Sequence, residues 1–192
     1  SQGTELNGWM IKPADFNESK KYPVLLYQYS GPGSQEVVDK WGIGGDRGGI
    51  GWDAYMASNG YVIVCVDGRG TGGRGAEFAK CTYLNLGVKE AQDQVETAKH
   101  MAAQPYVDKS RIGIWGWSFG GYMAIMSMSE GTPIFKAGAA VAAVTDWRFY
   151  DTVYVERFMR TPQQNAEGYK AGSAFTRAAN LNGRLLLVHG MA

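Results

Sequence analysis

Gly116-Trp117-Ser118-Phe119-Gly120 places a serine between glycines, where an apolar, tryptophan-bearing run gives way to a helical pattern. With a strand before it and a helix after it, G-x-S-x-G reads as a nucleophile elbow. A strand that turns at once into a helix crowds the backbone near the serine, so only small neighbours fit, and the turn projects the hydroxyl at the carboxyl end of the sheet. The helix N-terminus adds unpaired N–H groups that stabilise developing negative charge. The chemistry would be attack on an acyl carbon, which requires a proton acceptor. The 192 residues hold two histidines. His100 lies in an amphipathic helical pattern, on what reads as a solvated face, and precedes Ser118, whereas such an elbow takes its acid and then its histidine from later in the chain. His189 ends the last strand-like run, at a level that could approach the serine, yet the acid is expected after that strand and the histidine later still. Neither is a convincing base.

The other chemistry-bearing candidates are weaker. Gly68-Arg69-Gly70-Thr71-Gly72-Gly73 fits G-x-G-x-x-G after a strand, with Glu90 and Asp93 about 20 positions on, but the following residues are too broken for the helix a dinucleotide site requires. It reads as a glycine-rich connection. Cys65 falls inside a strand and Cys81 in a loop, reading as a buried small residue and an incidental thiol; neither pairs with the histidines at a metal-ligand spacing. No metal and no cofactor are expected. A formal net charge of +1 provides no field for nucleic acid or an anionic membrane surface, and the apolar runs are strand-sized, far short of a membrane span.

The elements that must position Ser118 alternate. Residues 5–11 read as a strand suited to a sheet edge, 22–29 as a stronger strand with Pro23 at its start, and 42–51 as irregular because of their glycines. Residues 52–58 read as a helix stopped by Asn59-Gly60, and 61–67 as a β-branched strand buried on both faces. Ala91, Val95, Ala98 and Ala102 recur at helical spacing with charges between them. Residues 111–117 and 184–190 read as strands, 119–129 as a helix, 137–144 as a strand or a helix, and 147–159 as one aromatic-rich helix. Strands alternating with helices imply an α/β fold with a mainly parallel sheet in a single domain.

Taken together, "YSGPGSQ", "WDAYMAS", "DGRGTGG", "YVDKSRIGIWGWSFGGYM" and "WRFYDTVYVERFM" resemble the catalytic domain of the prolyl oligopeptidase family, in its dipeptidyl peptidase IV branch and in a bacterial form. The match runs in order from about Leu6 to Ala192. The resemblance implies an α/β-hydrolase domain normally paired with a β-propeller, acting as a serine exopeptidase that removes Xaa-Pro or Xaa-Ala dipeptides from N-termini. It implies Ser118 as nucleophile, with the Phe119 backbone N–H and the Tyr29 hydroxyl holding the oxyanion. Val144, Trp147, Tyr150 and Tyr154 would wall the pocket for the proline ring; from the residues alone, the last three read equally as a core stripe. Phe119 stands where close relatives often carry tyrosine. The family motif continues past "HGMA" with an acid, and a histidine several tens of residues later, so residues 1–192 are expected to be an incomplete catalytic domain without the propeller and inactive in isolation. The resemblance also implies peptide partners, a homodimer at full length, no nucleic acid, no direct membrane contact by this domain, and a periplasmic or cell-surface location. Two other readings remain open: another α/β-hydrolase, such as an acylaminoacyl peptidase or esterase, and a non-catalytic interaction domain on the same fold.

Overall fold

A computed structural model of the chain describes residues 3–40 and 50–191, Ile50 by its backbone alone. Most of the segment read as irregular, 42–51, lies outside those residues; its end is helical, because α1 (Ile50–Ser58) starts two residues before Trp52. Asn59-Gly60 ends this helix, Gly60 taking a φ of 83° that L side chains resist.

Six strands form one sheet in the order β1-β3-β2-β4-β5-β6. Strand β1 (Asn7–Ile11) occupies an edge and runs antiparallel to β3 (Val62–Asp67). All other pairings are parallel, linking β3, β2 (Tyr22–Tyr27), β4 (Val107–Trp117), β5 (Ala137–Val141) and β6 (Arg184–Val188). The small-residue run at 137–144, ambiguous in sequence, is therefore a strand as far as Val141.

Val24, Leu26, Ile112 and Ile114 face α3 (Val88–Ala102) and α4 (Phe119–Met128) in the main core. All ten residues of α4 are buried, as expected of a helix apolar on every side. On the opposite face α1 supplies Trp52 and Met56, which border an apolar cavity of about 610 Å³ floored by Leu25, Gly113, Trp115 and Ala139. The short helix α2 (Ala76–Lys80) follows the glycine-rich connection.

One reading is corrected. The segment 147–159 is not one helix. Trp147–Phe149 form a 3-10 turn, Tyr150 is extended (φ −100°, ψ 168°), and only Thr152–Met159 is α-helical, as α5. Two N-caps explain the break: the Asp146 carboxylate accepts from Arg148 N–H and that of Asp151 from Tyr154 N–H, so each acid starts its own turn. A further helix, α6 (Ala166–Ala171), leads to the segment before β6. Within α3, Glu90 and Asp93 are fully buried. Asp93 takes a two-pronged hydrogen bond from the Arg69 guanidinium, with an Nη2–Oδ1 distance of 2.8 Å, and accepts Arg69 N–H as well. The glycine-rich connection is thus tied to α3 by an internal ion pair.

Candidate active site

Ser118 sits between β4 and α4 with φ 58° and ψ −115°, a backbone conformation costly for any residue with a Cβ. Its N–H donates to Val141 O at 2.8 Å and its carbonyl accepts Tyr122 N–H at 3.0 Å, so β5 and the first turn of α4 hold the elbow from both sides. The flanking glycines answer to one specific neighbour. A Cβ on Gly116 would lie 2.6 Å from Gln28 O, and one on Gly120 only 2.4 Å from that oxygen and 3.2 Å from Tyr29 Cα. The end of β2 therefore runs directly against the elbow, which is how Tyr29 reaches the neighbourhood of Ser118.

Tyr29 is half-buried, its ring centroid 6.1 Å from that of Phe119. Gly31 leaves room for this ring: a Cβ there would lie 2.6 Å from Tyr29 Cε1. The Phe119 N–H is the first in α4 and has no partner within the helix. It lies at the positive end of the helix dipole, beside the serine hydroxyl. Phe119 itself is buried and packs against Tyr122 and Trp147, with centroids 5.4 Å away in each case.

From Phe119 the aromatic contacts continue into a wall. Trp147 is buried and lies 6.1 Å from Tyr154 and 6.0 Å from Tyr150, which are themselves 5.5 Å apart. Trp147, Tyr150 and Tyr154 thus come together although no single helix carries them. Burial, then the neighbouring Tyr29 and Tyr150, raise the Tyr154 hydroxyl above the ordinary phenol range. Val144 lies half-buried in the turn after β5, against the same core. The wall is anchored by Asp146, whose carboxylate accepts Arg148 Nε at 2.9 Å, Arg148 Nη2 at 2.8 Å and Ser173 Oγ at 2.8 Å. Burial opposes ionisation of Asp146, but these bonds outweigh it and hold the group below the ordinary carboxylate range.

Ser118 also borders a cavity of about 590 Å³, lined besides by Tyr27, Tyr29, Ser34, Gln35, Glu36 and Trp117. Its loop wall is fixed by Asp67 at the end of β3, which accepts Glu36 N–H at 3.0 Å and Val37 N–H at 2.8 Å. Trp9 of the edge strand adds an indole hydrogen bond to Glu36 O. Sequence reading missed Gln35, Glu36 and Trp117 as neighbours of the serine. For the first two the available signal was their place just after Tyr29; for Trp117, its place in the elbow.

The histidines stay apart from this arrangement. His100 is exposed near the end of α3. His189 is exposed, with Nδ1 3.3 Å from Gly190 O. Trp117, Val141 and Val188 are in register across β4, β5 and β6, so His189 is level with Ser118 but two strand spacings away, ~10 Å. Among the described residues no group of three His, Cys, Asp or Glu is placed to hold a metal ion.

A strained serine at a strand-to-helix turn, at the carboxyl end of a mainly parallel sheet, defines the α/β-hydrolase architecture. The model of the prolyl oligopeptidase family matches residues 50–192, and the chain belongs to that family. It is 56% identical to dipeptidyl peptidase 4 of Porphyromonas gingivalis, whose crystal structure superposes with a TM-score of 0.90 over 97% of this chain and 26% of that one. A protein named probable dipeptidyl-aminopeptidase B in the fungus Pyrenophora teres is 50% identical over 99% of this chain and 20% of its own length. The corresponding protein of Arthroderma otae is 50% identical over 94% of this chain and 19% of its own length. The chain thus spans about a fifth of the length of these curated relatives.

Proposed function

We propose that the chain is the nucleophile-bearing part of a serine dipeptidyl peptidase that releases Xaa-Pro or Xaa-Ala from peptide N-termini. The observation that supports this most is the run of ring contacts from Tyr29 through Phe119, the residue after the strained Ser118, to Trp147, Tyr150 and Tyr154, within a chain of this family. Ser118 Oγ attacks the carbonyl carbon of the second residue and loses its proton to a histidine supplied from outside residues 1–192. The carbonyl oxygen, now an oxyanion, accepts hydrogen bonds from Phe119 N–H and the Tyr29 hydroxyl. Collapse expels the leaving amine, which takes the proton held by that histidine, and leaves a dipeptidyl ester on Ser118, which water then hydrolyses.

A flat aromatic slot suits a pyrrolidine ring and selects it by shape. Trp147, Tyr150 and Tyr154, with Val144 beside them, form that slot, and the cavity lined by Gln35 and Glu36 is left for the leaving-group side. The same reading carries dimerisation and a periplasmic or cell-surface location for the full-length protein, both resting on family resemblance. Among the described residues no helix is long and apolar enough to cross a membrane.

The test is hydrolysis of Gly-Pro and Ala-Pro chromogenic substrates by the full-length gene product, with labelling of Ser118 by a fluorophosphonate probe. Turnover abolished by Ser118→Ala supports the reading. Labelling with activity only on simple esters would identify another hydrolase, and absence of both would leave a binding domain. The 192-residue chain by itself is expected to show essentially no turnover; rates comparable to the full-length product would overturn the proposed source of the histidine.

A further inference from the structure

Gln28 and Ser30 bracket Tyr29, and both are fully buried, unusual surroundings for two neutral polar side chains at a strand end. Their hydrogen bonds are specific. Gln28 Nε2 donates to Gly120 O at 2.7 Å, crossing from β2 to the first turn of α4. Ser30 Oγ donates to Gln28 Oε1 at 3.2 Å. Gln94 Nε2, from α3, reaches Ser30 Oγ at 3.3 Å and Val66 O at 3.1 Å. Ser30 has a φ of 63°, so the chain turns sharply just past Tyr29. The network contains no ionisable group and contributes no charge. It connects the strand end carrying the Tyr29 hydroxyl to the helix whose first N–H belongs to Phe119.

From this geometry we infer that Gln28 is a positioning residue of the oxyanion site: through its bond to Gly120 O it sets the separation between the Tyr29 hydroxyl and Phe119 N–H, with Ser30 and Gln94 bracing its amide. Two donors stabilise an oxyanion only when both lie at hydrogen-bond distance from one point. These two come from elements 90 positions apart in sequence, Tyr29 and Phe119, and the Gln28 amide joins those elements by a side-chain bond beside the backbone contact at Gly120. Met at position 28 would fill similar space with neither donor nor acceptor. Glycine at position 30 would remove the bracing hydroxyl while accepting the positive φ easily.

The inference rests on the proposed role of Tyr29, and a double-mutant cycle separates the two. In the full-length gene product, kcat and KM for a Gly-Pro substrate are measured per active site, titrated with a fluorophosphonate, for Gln28→Met, Ser30→Gly and Tyr29→Phe and for each of the first two combined with Tyr29→Phe. Gln28→Met is expected to lower kcat by ~10-fold with KM changed less than ~2-fold, and to have almost no effect when combined with Tyr29→Phe. Ser30→Gly is expected to give a smaller loss that also vanishes with Tyr29→Phe, and it carries the test alone if Gln28→Met does not fold. Equal fold-losses with and without Tyr29→Phe would show a merely structural role and overturn the inference about Gln28. An unchanged kcat in Tyr29→Phe would instead overturn the reading of Tyr29.

Discussion

Tyr29 carries two predictions at the scale of single residues. Tyr29→Phe removes one of the two proposed oxyanion donors and is expected to lower kcat by ~10²–10³-fold with the fold intact, as read from steady-state kinetics beside a melting curve. Gly31→Ala approaches the same group from behind. Its new Cβ would crowd Tyr29 Cε1 at 2.6 Å, displacing the ring, and a misplaced donor can lose as much as ~10²-fold in rate. An unchanged kcat in Gly31→Ala would mean that the ring yields without consequence. Ser118 was legible from the sequence because the elbow imposes its own local pattern. Tyr29 entered only through family resemblance, since nothing in "YQYSGPG" says that β2 ends against Gly116 and Gly120. The polar pair around it was invisible for a related reason: a glutamine and a serine at a strand end read as the start of a loop until the partners on α3 and α4 are known.

Two elements carry buried charge that the hydrophobic pattern did not reveal. In α3, burial pushes Glu90 up to about 8, against hydrogen bonds from its own N–H and that of Gly87, with Asp93 adding repulsion and Arg69 relieving it. A carboxyl raised in the folded state takes up a proton on folding between its ordinary value of 4.5 and about 8. Its contribution to stability therefore falls as pH rises through that window and stays lost above it. Glu90→Gln keeps an acceptor for Gly87 N–H without the ionisation. It is expected to raise the Tm relative to the unchanged protein near pH 9 and to leave it similar near pH 5. In the turn before α5, Asp146 has the opposite sign. Its depressed value adds stability at neutral pH that is lost in acid, as pH falls through the folded-state value. Asp146→Asn weakens the hold on Arg148 and hence on the Trp147 wall. KM for Gly-Pro substrates is expected to rise several-fold with a smaller change in kcat, and an unchanged KM would show that the aromatic packing suffices to keep Trp147 in place. Helical spacing grouped Trp147, Tyr150 and Tyr154 correctly but for the wrong reason, because the capping preferences of Asp146 and Asp151 prevailed over the aromatic periodicity.

Across the whole molecule, the alternation of elements conveyed a mainly parallel sheet and the loose pattern at residues 5–11 a strand suited to an edge, whereas the strand order and the antiparallel direction of β1 depend on long-range pairing that no local pattern encodes. At the other side, the family resemblance implies that residues 184–190 stand as an exposed apolar strand. Among the described residues β6 is the last strand, with Leu186 and Leu187 each 61% exposed and Val188 45% exposed. Exposed apolar strand edges template association, so the 192-residue chain in isolation is expected to self-associate with rising concentration, as followed by light scattering. Leu187→Lys should suppress this with little change in Tm; unaltered scattering would place the contact elsewhere. The bond from Ser118 N–H to Val141 O has a different consequence, one of timing. A ribosome releases the serine before the strand whose carbonyl holds its backbone, so in a nascent chain Ser118 lacks this restraint until β5 has emerged and paired with β4.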